Sequence, residues 1–197
     1  MGKTLTRTIA IIIIIVVSIG CGYFYDMIIT NLEKKSHPIP DAYKNIVERY
    51  AEEFEVPIEI VYSVINTESG FRSDAVSPGV GAVGLMQIMP DTFDWIAMKM
   101  GESPTEGLLY DPHTNVKYGT YFLKYLYREF GSWDIAFAAY NAGPNRVKQW
   151  LNNPEYIKNN EIVYIPIEET RNYIKKVNKN IEAYKRLYFS KDNKNKT

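Results

Sequence analysis

Hydrophobic residues are distributed unevenly along the chain. Residues 9–20 read IAIIIIIVVSIG, and the apolar character continues through CGYFY to Tyr25. The stretch from Thr8 to Tyr25 approaches the ~20 residues that cross hydrocarbon as a helix. Lys3 and Arg7 precede it, and a basic flank before an apolar run is an export signal. Tyr23, Phe24 and Tyr25 suit the far membrane–water interface. Residues 1–25 therefore read as a cytoplasmic stub and retained signal anchor, a single pass with the rest of the chain outside the cytoplasmic membrane. Two other routes export the same remainder: a cleaved signal peptide giving a secreted protein, or a lipoprotein acylated at Cys21 after Ser18-Ile19-Gly20.

Beyond the anchor the pattern changes. Residues 26–40, DMIITNLEKKSHPIP, carry charges and two prolines and read as a linker. From Asp41 to about residue 190 the period is helical and no repeat is visible. Tyr43, Ile46, Val47 and Tyr50 recur at helical spacing after Pro40-Asp41. Pro57 opens a second helix that reaches Glu68 before Gly70. A loop rich in Ser, Gly and Pro follows, to about Gly84. Asp91 is expected to cap the helix TFDWIAMKM, which Gly101 stops. Asp111-Pro112 starts a helix closed by Gly131. Another runs from Ser132 or Trp133 to Gly143-Pro144, and a short one covers residues 145–151. Residues 152–166 read as irregular or weakly extended. Glu168 then opens a long final helix, and the polar tail 191–197 is expected to fray. The class is mostly α, an N-terminal transmembrane helix ahead of one helical domain over residues 41–190.

Composition narrows the chemistry. A chain of 197 residues with 46% hydrophobic residues supports one domain with a real core beside its membrane segment. A formal net charge of +0 offers no basic face for nucleic acid, so no nucleic-acid partner is expected. Cys21 is the single cysteine and His37 and His113 are the two histidines, so no metal site and no cofactor are expected. Sixteen tyrosines supply flat apolar faces with hydroxyls, a surface that sugars use, although most serve any core or surface.

The sharpest chemical signal is Glu68. Val61, Val64 and Ile65 precede it by seven, four and three residues, so all share its helix face. An apolar stripe that must meet the core thus ends in a carboxyl group. Lost hydration raises a carboxyl pKa, and a raised pKa suits a general acid. The same spacing is met by a Glu that turns to solvent or pairs with Arg72.

Four segments around Glu68 resemble the catalytic domain of the soluble lytic transglycosylase family, a lysozyme-like fold related to goose-type lysozyme. They are ESGF at Glu68, GLMQIMP at Gly84, AYNAG at Ala139, and IPIEETRNY leading to Tyr173, in that order. The stretch DPHTNVKYGTYFLKYL also looks like that family's linking helix, and the resemblance covers about residues 41–187. It implies a peptidoglycan lytic transglycosylase acting on glycan strands. Glu68 would protonate the glycosidic oxygen between N-acetylmuramic acid and N-acetylglucosamine and then act as base. The C6 hydroxyl would attack C1, leaving a 1,6-anhydro end without water. Gln87 and Met86 would floor the sugar site, and Tyr140 and Asn141 would contact substrate or the Glu68 region. Tyr173 would hydrogen-bond Glu68. Ser77 would reach the sugar from the loop, though SPGVGAVG between Ser77 and Gly84 is one residue longer than the family's usual spacing. Glu168, Glu169 and Arg171 are expected to fasten the final helix by ion pairs. Two alternatives remain: a goose-type hydrolase in which Asp74 or Asp91 positions a water, and a catalytically silent wall-binding domain.

Overall fold

The computed structural model describes residues 2–79, 81–103, 107–158, 161–162 and 164–190. The chain divides into two units, Met1–Pro38 and Ile39–Thr197. The expected polar tail 191–197 lies outside the described residues.

The first unit is one helix, α1 (Gly2–Ser36). Within its span Ile12–Ser36 an 18-residue window has a mean hydropathy of 2.2, and the helix is long and apolar enough to cross a membrane. Those 25 residues rise roughly 37 Å at ~1.5 Å each, against ~30 Å of hydrocarbon. Apolar side chains from Ile12 to Leu32 are exposed, Ile14 at 63% and Val16 at 62%. Residues 26–36, read from sequence as part of a linker, continue this helix. The first proline is Pro38, so nothing before it removes a backbone donor, and Met27, Leu32, Glu33, Lys34 and Lys35 are good helix formers.

The second unit contains α2 (Asp41–Glu53), α3 (Ile58–Glu68), α4 (Pro90–Met100), α5 (Pro112–Phe130), α6 (Trp133–Ala142), α7 (Pro144–Leu151) and α8 (Glu168–Tyr184). A 3₁₀ turn at Leu108–Tyr110 precedes α5, and a π turn at Lys185–Phe189 continues α8. Where the sequence reads as weakly extended, β1 (Ile157–Lys158) pairs antiparallel with β2 (Glu161–Ile162), Ile157 opposite Ile162. The mostly helical class and the order of helices follow the sequence pattern. The largest difference in a start is at α4, which begins at Pro90, and Asp91 lies in its first turn without a capping bond. Proline at the first position supplies the helical φ and needs no donor, so the helix starts two residues before the Thr92 that a cap at Asp91 would set. Asp111 does cap α5, its carboxylate accepting from the Thr114 N–H at 2.8 Å.

α3 lies between α2 and α8, while α5 packs on α2, α4 and α6, and α6 packs on α7 and α8. Val47, Val61, Val64, Ile65, Leu123, Leu126, Phe137 and Val177 are all closed to solvent. Each such side chain contributes about 1.5–3 kcal/mol through burial, so the α3–α5–α6–α8 interior holds the unit together. The loop between α3 and α4 covers one end of this interior and carries the site.

Candidate active site

α3 delivers Glu68. Val61, Val64 and Ile65 are 0% exposed, so the helix cannot rotate without exposing them, and its last side chain is held at the edge of the core. α8 crosses this end of α3. The Lys176 Nζ donates to the Thr67 carbonyl at 3.1 Å, and the Asn180 amide donates to the Thr67 hydroxyl at 2.9 Å. Beneath them Ile174, Val177 and Ile181 are buried. That register brings the Tyr173 O–H onto Glu68 Oε1 at 2.6 Å. Burial pushes the Glu68 carboxyl up to about 7, against the lowering pull of the Tyr173 hydrogen bond and the Lys176 charge. Arg72 takes another partner, its Nε donating to the Ser69 carbonyl at 3.0 Å. Burial and the neighbouring Glu68 charge drive the Tyr173 phenol well above its ordinary value, so it stays a donor.

The loop after α3 is tied down at several points. The Ser69 hydroxyl, 3% exposed, donates to the Leu85 carbonyl at 2.8 Å. Asn115, buried on α5, serves three main-chain groups. Its amide donates to Val83 and Leu109 carbonyls at 2.9 and 3.0 Å, and its oxygen accepts from the Met86 N–H at 2.8 Å. A Cβ at residue 84 would collide with the Asn115 amide, and Gly84 has φ +80°, so only glycine lets the loop close there. Gln87 sits at φ +47°, sparsely populated for a residue with a side chain. Its amide N–H groups donate to Ala75 and Gly84 carbonyls at 3.0 and 2.9 Å, which leaves the amide oxygen for a ligand.

α6 closes the far side. The Tyr140 O–H donates to the Met86 carbonyl at 2.7 Å, and its ring leans on Phe122 with centroids 5.4 Å apart. Asn141 Oδ1 accepts from the buried Thr170 hydroxyl at 2.8 Å, leaving its N–H₂ group uncommitted to that bond.

Together these segments enclose a groove of about 290 Å³ whose walls include Glu68, Ser77, Gln87, Tyr140, Asn141 and Glu169. Five residues singled out from sequence thus share one cavity, and Tyr173 reaches it through Glu68. Met86 departs from expectation. Its side chain is 0% exposed, and a Cβ on Gly119 of α5 would collide with it, so it packs in the core. It serves the groove through its main chain, as partner of Tyr140 and Asn115. Glu169 also departs. It lines the groove and joins no ion pair among the described residues, nor does Glu168. Arg171 donates to the Ile165 carbonyl and lies over the Tyr164 ring at 5.3 Å. Asp74 and Asp91 do not line the groove, so Glu169 is the second carboxyl there. Its signal in the sequence was weak because an acid in a first helical turn ordinarily complements the helix dipole. Among the described residues no group of three or more His, Cys, Asp or Glu could hold a metal ion. The groove offers a protonatable carboxyl, fixed amides and hydroxyls, and aromatic surface, which suits acid-assisted cleavage of a polar, extended ligand.

The transglycosylase SLT domain family matches residues 45–163. The soluble lytic murein transglycosylase of Escherichia coli is 41% identical over 156 residues, 76% of this chain and 23% of the relative. A membrane-bound lytic murein transglycosylase C of Glaesserella parasuis is 30% identical over 169 residues, 74% of this chain and 46% of its own. Among solved structures, the 70 kDa soluble lytic transglycosylase of Escherichia coli superposes with a TM-score of 0.69 at 35% identity, covering 79% of this chain and 25% of the other. An inactive mutant of the Pseudomonas aeruginosa lytic transglycosylase Slt gives 0.66 at 32% identity, covering 77% and 25%. The chain spans about a quarter of the length of the soluble relatives it matches.

Proposed function

This chain belongs to the transglycosylase SLT domain family, and from that membership we propose that it is a lytic transglycosylase that cleaves peptidoglycan glycan strands without water. The observation that carries the reading is Glu68, held by Tyr173 at 2.6 Å with its carboxyl raised to about 7. Near neutral pH such a group is poised between acid and base. It protonates the glycosidic oxygen as the bond breaks, and the sugar becomes oxocarbenium-like. The N-acetyl oxygen of N-acetylmuramic acid stabilises that charge from within the substrate. Ionised Glu68 then takes the proton of the C6 hydroxyl as its oxygen bonds to C1, giving the 1,6-anhydro end. Holding that hydroxyl close supplies the advantage of an intramolecular step. The Gln87 oxygen, Ser77 and Asn141 orient sugar hydroxyls and amides. Tyr173 keeps Glu68 aimed.

The hydrolytic alternative would need a carboxylate to activate water. Asp74 and Asp91 lie outside the groove lining, so in that reading Glu169 would be the base. Product masses separate the two. Anhydro ends are lighter by one water than reducing ends, and Glu68→Gln should abolish both products. Reducing ends as the primary product would overturn the non-hydrolytic reading. Unchanged turnover by the Glu68→Gln variant would remove Glu68 from the mechanism.

The domain works outside the cytoplasmic membrane, with α1 as a single-pass anchor. A span long and apolar enough to cross a membrane with Lys3 and Arg7 ahead of it supports this, because a basic flank before an apolar run is an export signal. So does a relative named as membrane-bound.

A further inference from the structure

The end of α3 is an unfavourable place for an acid. The last carbonyls of a helix lack intrahelical donors and carry partial negative charge. Glu68 is the final residue of α3, so its carboxylate meets that charge as well as the loss of water. No last-turn residue of α3 is basic. The offset comes from α8. Tyr173, Lys176 and Asn180 follow one another at spacings of three and four residues, which puts them on one face of that helix. All three reach the last turn of α3. The Tyr173 O–H donates to Glu68 at 2.6 Å, the Lys176 Nζ to the Thr67 carbonyl at 3.1 Å, and the Asn180 amide to the Thr67 hydroxyl at 2.9 Å. The middle contact is the charged one, and it falls on the residue directly before Glu68.

The other titratable groups around Glu68 do not supply this charge. Burial drives the phenols of Tyr140, from α6, and Tyr173 well above their ordinary value, so both stay neutral. Glu169 of α8 brings a second carboxyl to the groove wall. Arg72, in the loop after α3, is exposed and gives its Nε to the Ser69 carbonyl. Among the described residues, Lys176 is the cation whose charge draws the Glu68 carboxyl down against the effect of burial.

The geometry points to Lys176 as a positioning residue for Glu68, one that closes the last turn of α3 from α8 and supplies the positive charge against which the carboxylate forms. This rests on the reading of Glu68 as acid and base in glycan cleavage. Once Glu68 has given its proton to the glycosidic oxygen it is a buried anion. It must stay one until it takes the proton of the C6 hydroxyl. Lys176 stabilises that anion from outside the groove, which it does not line.

The test follows the Glu68 carboxyl itself. Full-length protein in detergent micelles, isotopically labelled at the glutamate side-chain carboxyls, gives a carbon resonance for Glu68 that Glu68→Gln identifies by its loss. Titration from pH 4 to 9 reads its midpoint. Lys176→Met keeps the aliphatic stem without the charge and should raise the midpoint by about half a pH unit, the scale of one partly solvated charge. Lys176→Arg should restore the parent's midpoint. Lys175→Met, about 100° away around α8, should leave it unchanged. The alkaline limb of kcat/KM on glycan strands should move with the midpoint in each variant. Lys176 is exposed, so neither replacement opens the core. A Lys176→Met midpoint equal to the parent's would overturn the proposal. So would a shift that Lys175→Met reproduces or that arginine leaves uncorrected, because packing and not this charge would then be responsible. Those results leave the glycan-cleaving reading standing. Full turnover by Glu68→Gln would overturn that reading, and with it the part Lys176 plays.

Discussion

Replacing Glu68 by Gln should make the protein more stable at neutral and alkaline pH while removing its activity. The carboxyl titrates at an ordinary 4.5 when the chain is unfolded and at about 7 when folded. Between those values the folded state binds the proton and the unfolded state releases it. Stability therefore falls as pH rises through that window, is undiminished below about 4.5, and levels off above about 7. A displacement from 4.5 to about 7 is worth about 3 kcal/mol, at ~1.4 kcal/mol for each tenfold change in proton affinity. Because Glu68 keeps part of its surface open to the groove, this figure is an upper bound. Gln has nearly the same shape, can still accept from the Tyr173 O–H, and carries no charge to desolvate. The variant should match the wild type at pH 4 and exceed it at pH 8. At ~2–4 °C per kcal/mol for a unit of this size, the melting temperature should rise by up to about 10 °C. Thermal melts of both full-length proteins in detergent, at half-unit pH steps from 4 to 8, measure the difference directly. A constant offset across that range would mean that the Glu68 environment does not penalise its charge, and the acid–base argument would lose its physical basis.

The Tyr173→Phe variant loses the hydrogen bond that favours the ionised carboxyl. Its alkaline activity limb should move to higher pH while kcat drops by about 10–100-fold, the scale of a lost positioning contact; a pH profile superposable on the wild type's would contradict that role. For the anchor, protease added to intact spheroplasts should digest residues 39–190 while leaving a membrane-embedded N-terminal fragment, and full protection of the helical unit would place it on the wrong side.

The repeat of apolar positions made the seven α-helices among the described residues of the second unit legible, because each must bury one stripe and caps mark where stripes begin and end. Glu68 was legible for the same reason. Its position at the end of the Val61–Val64–Ile65 stripe is a local fact about one helix. Local signals also misled. The charges in residues 26–36 suggested a linker, yet without a proline they continue α1. Asp91 has the composition of a cap, but Pro90 sets the helix start. Met86 lies in the same motif as Gln87, but adjacent residues in a tight loop point opposite ways, and the notch above Gly119 takes the methionine inward.

What the sequence by itself determined was local: the helical class, the membrane-length apolar segment, and an acid on an apolar face. Periodicity is a property of neighbours in the chain, so it survives without the fold. The family resemblance named Tyr173 as a partner of that acid, and tertiary structure alone decided the geometry of that meeting and the contacts that hold the surrounding segments. Tyr173 lies 105 residues from Glu68, Lys176 reaches the carbonyl of Thr67 across 109, and Asn115 clamps the loop from 29 to 32 residues away. Those contacts set the orientation of Glu68, its proton affinity and the reach of its groove, because each depends on how α3, α5 and α8 pack, which no single segment encodes.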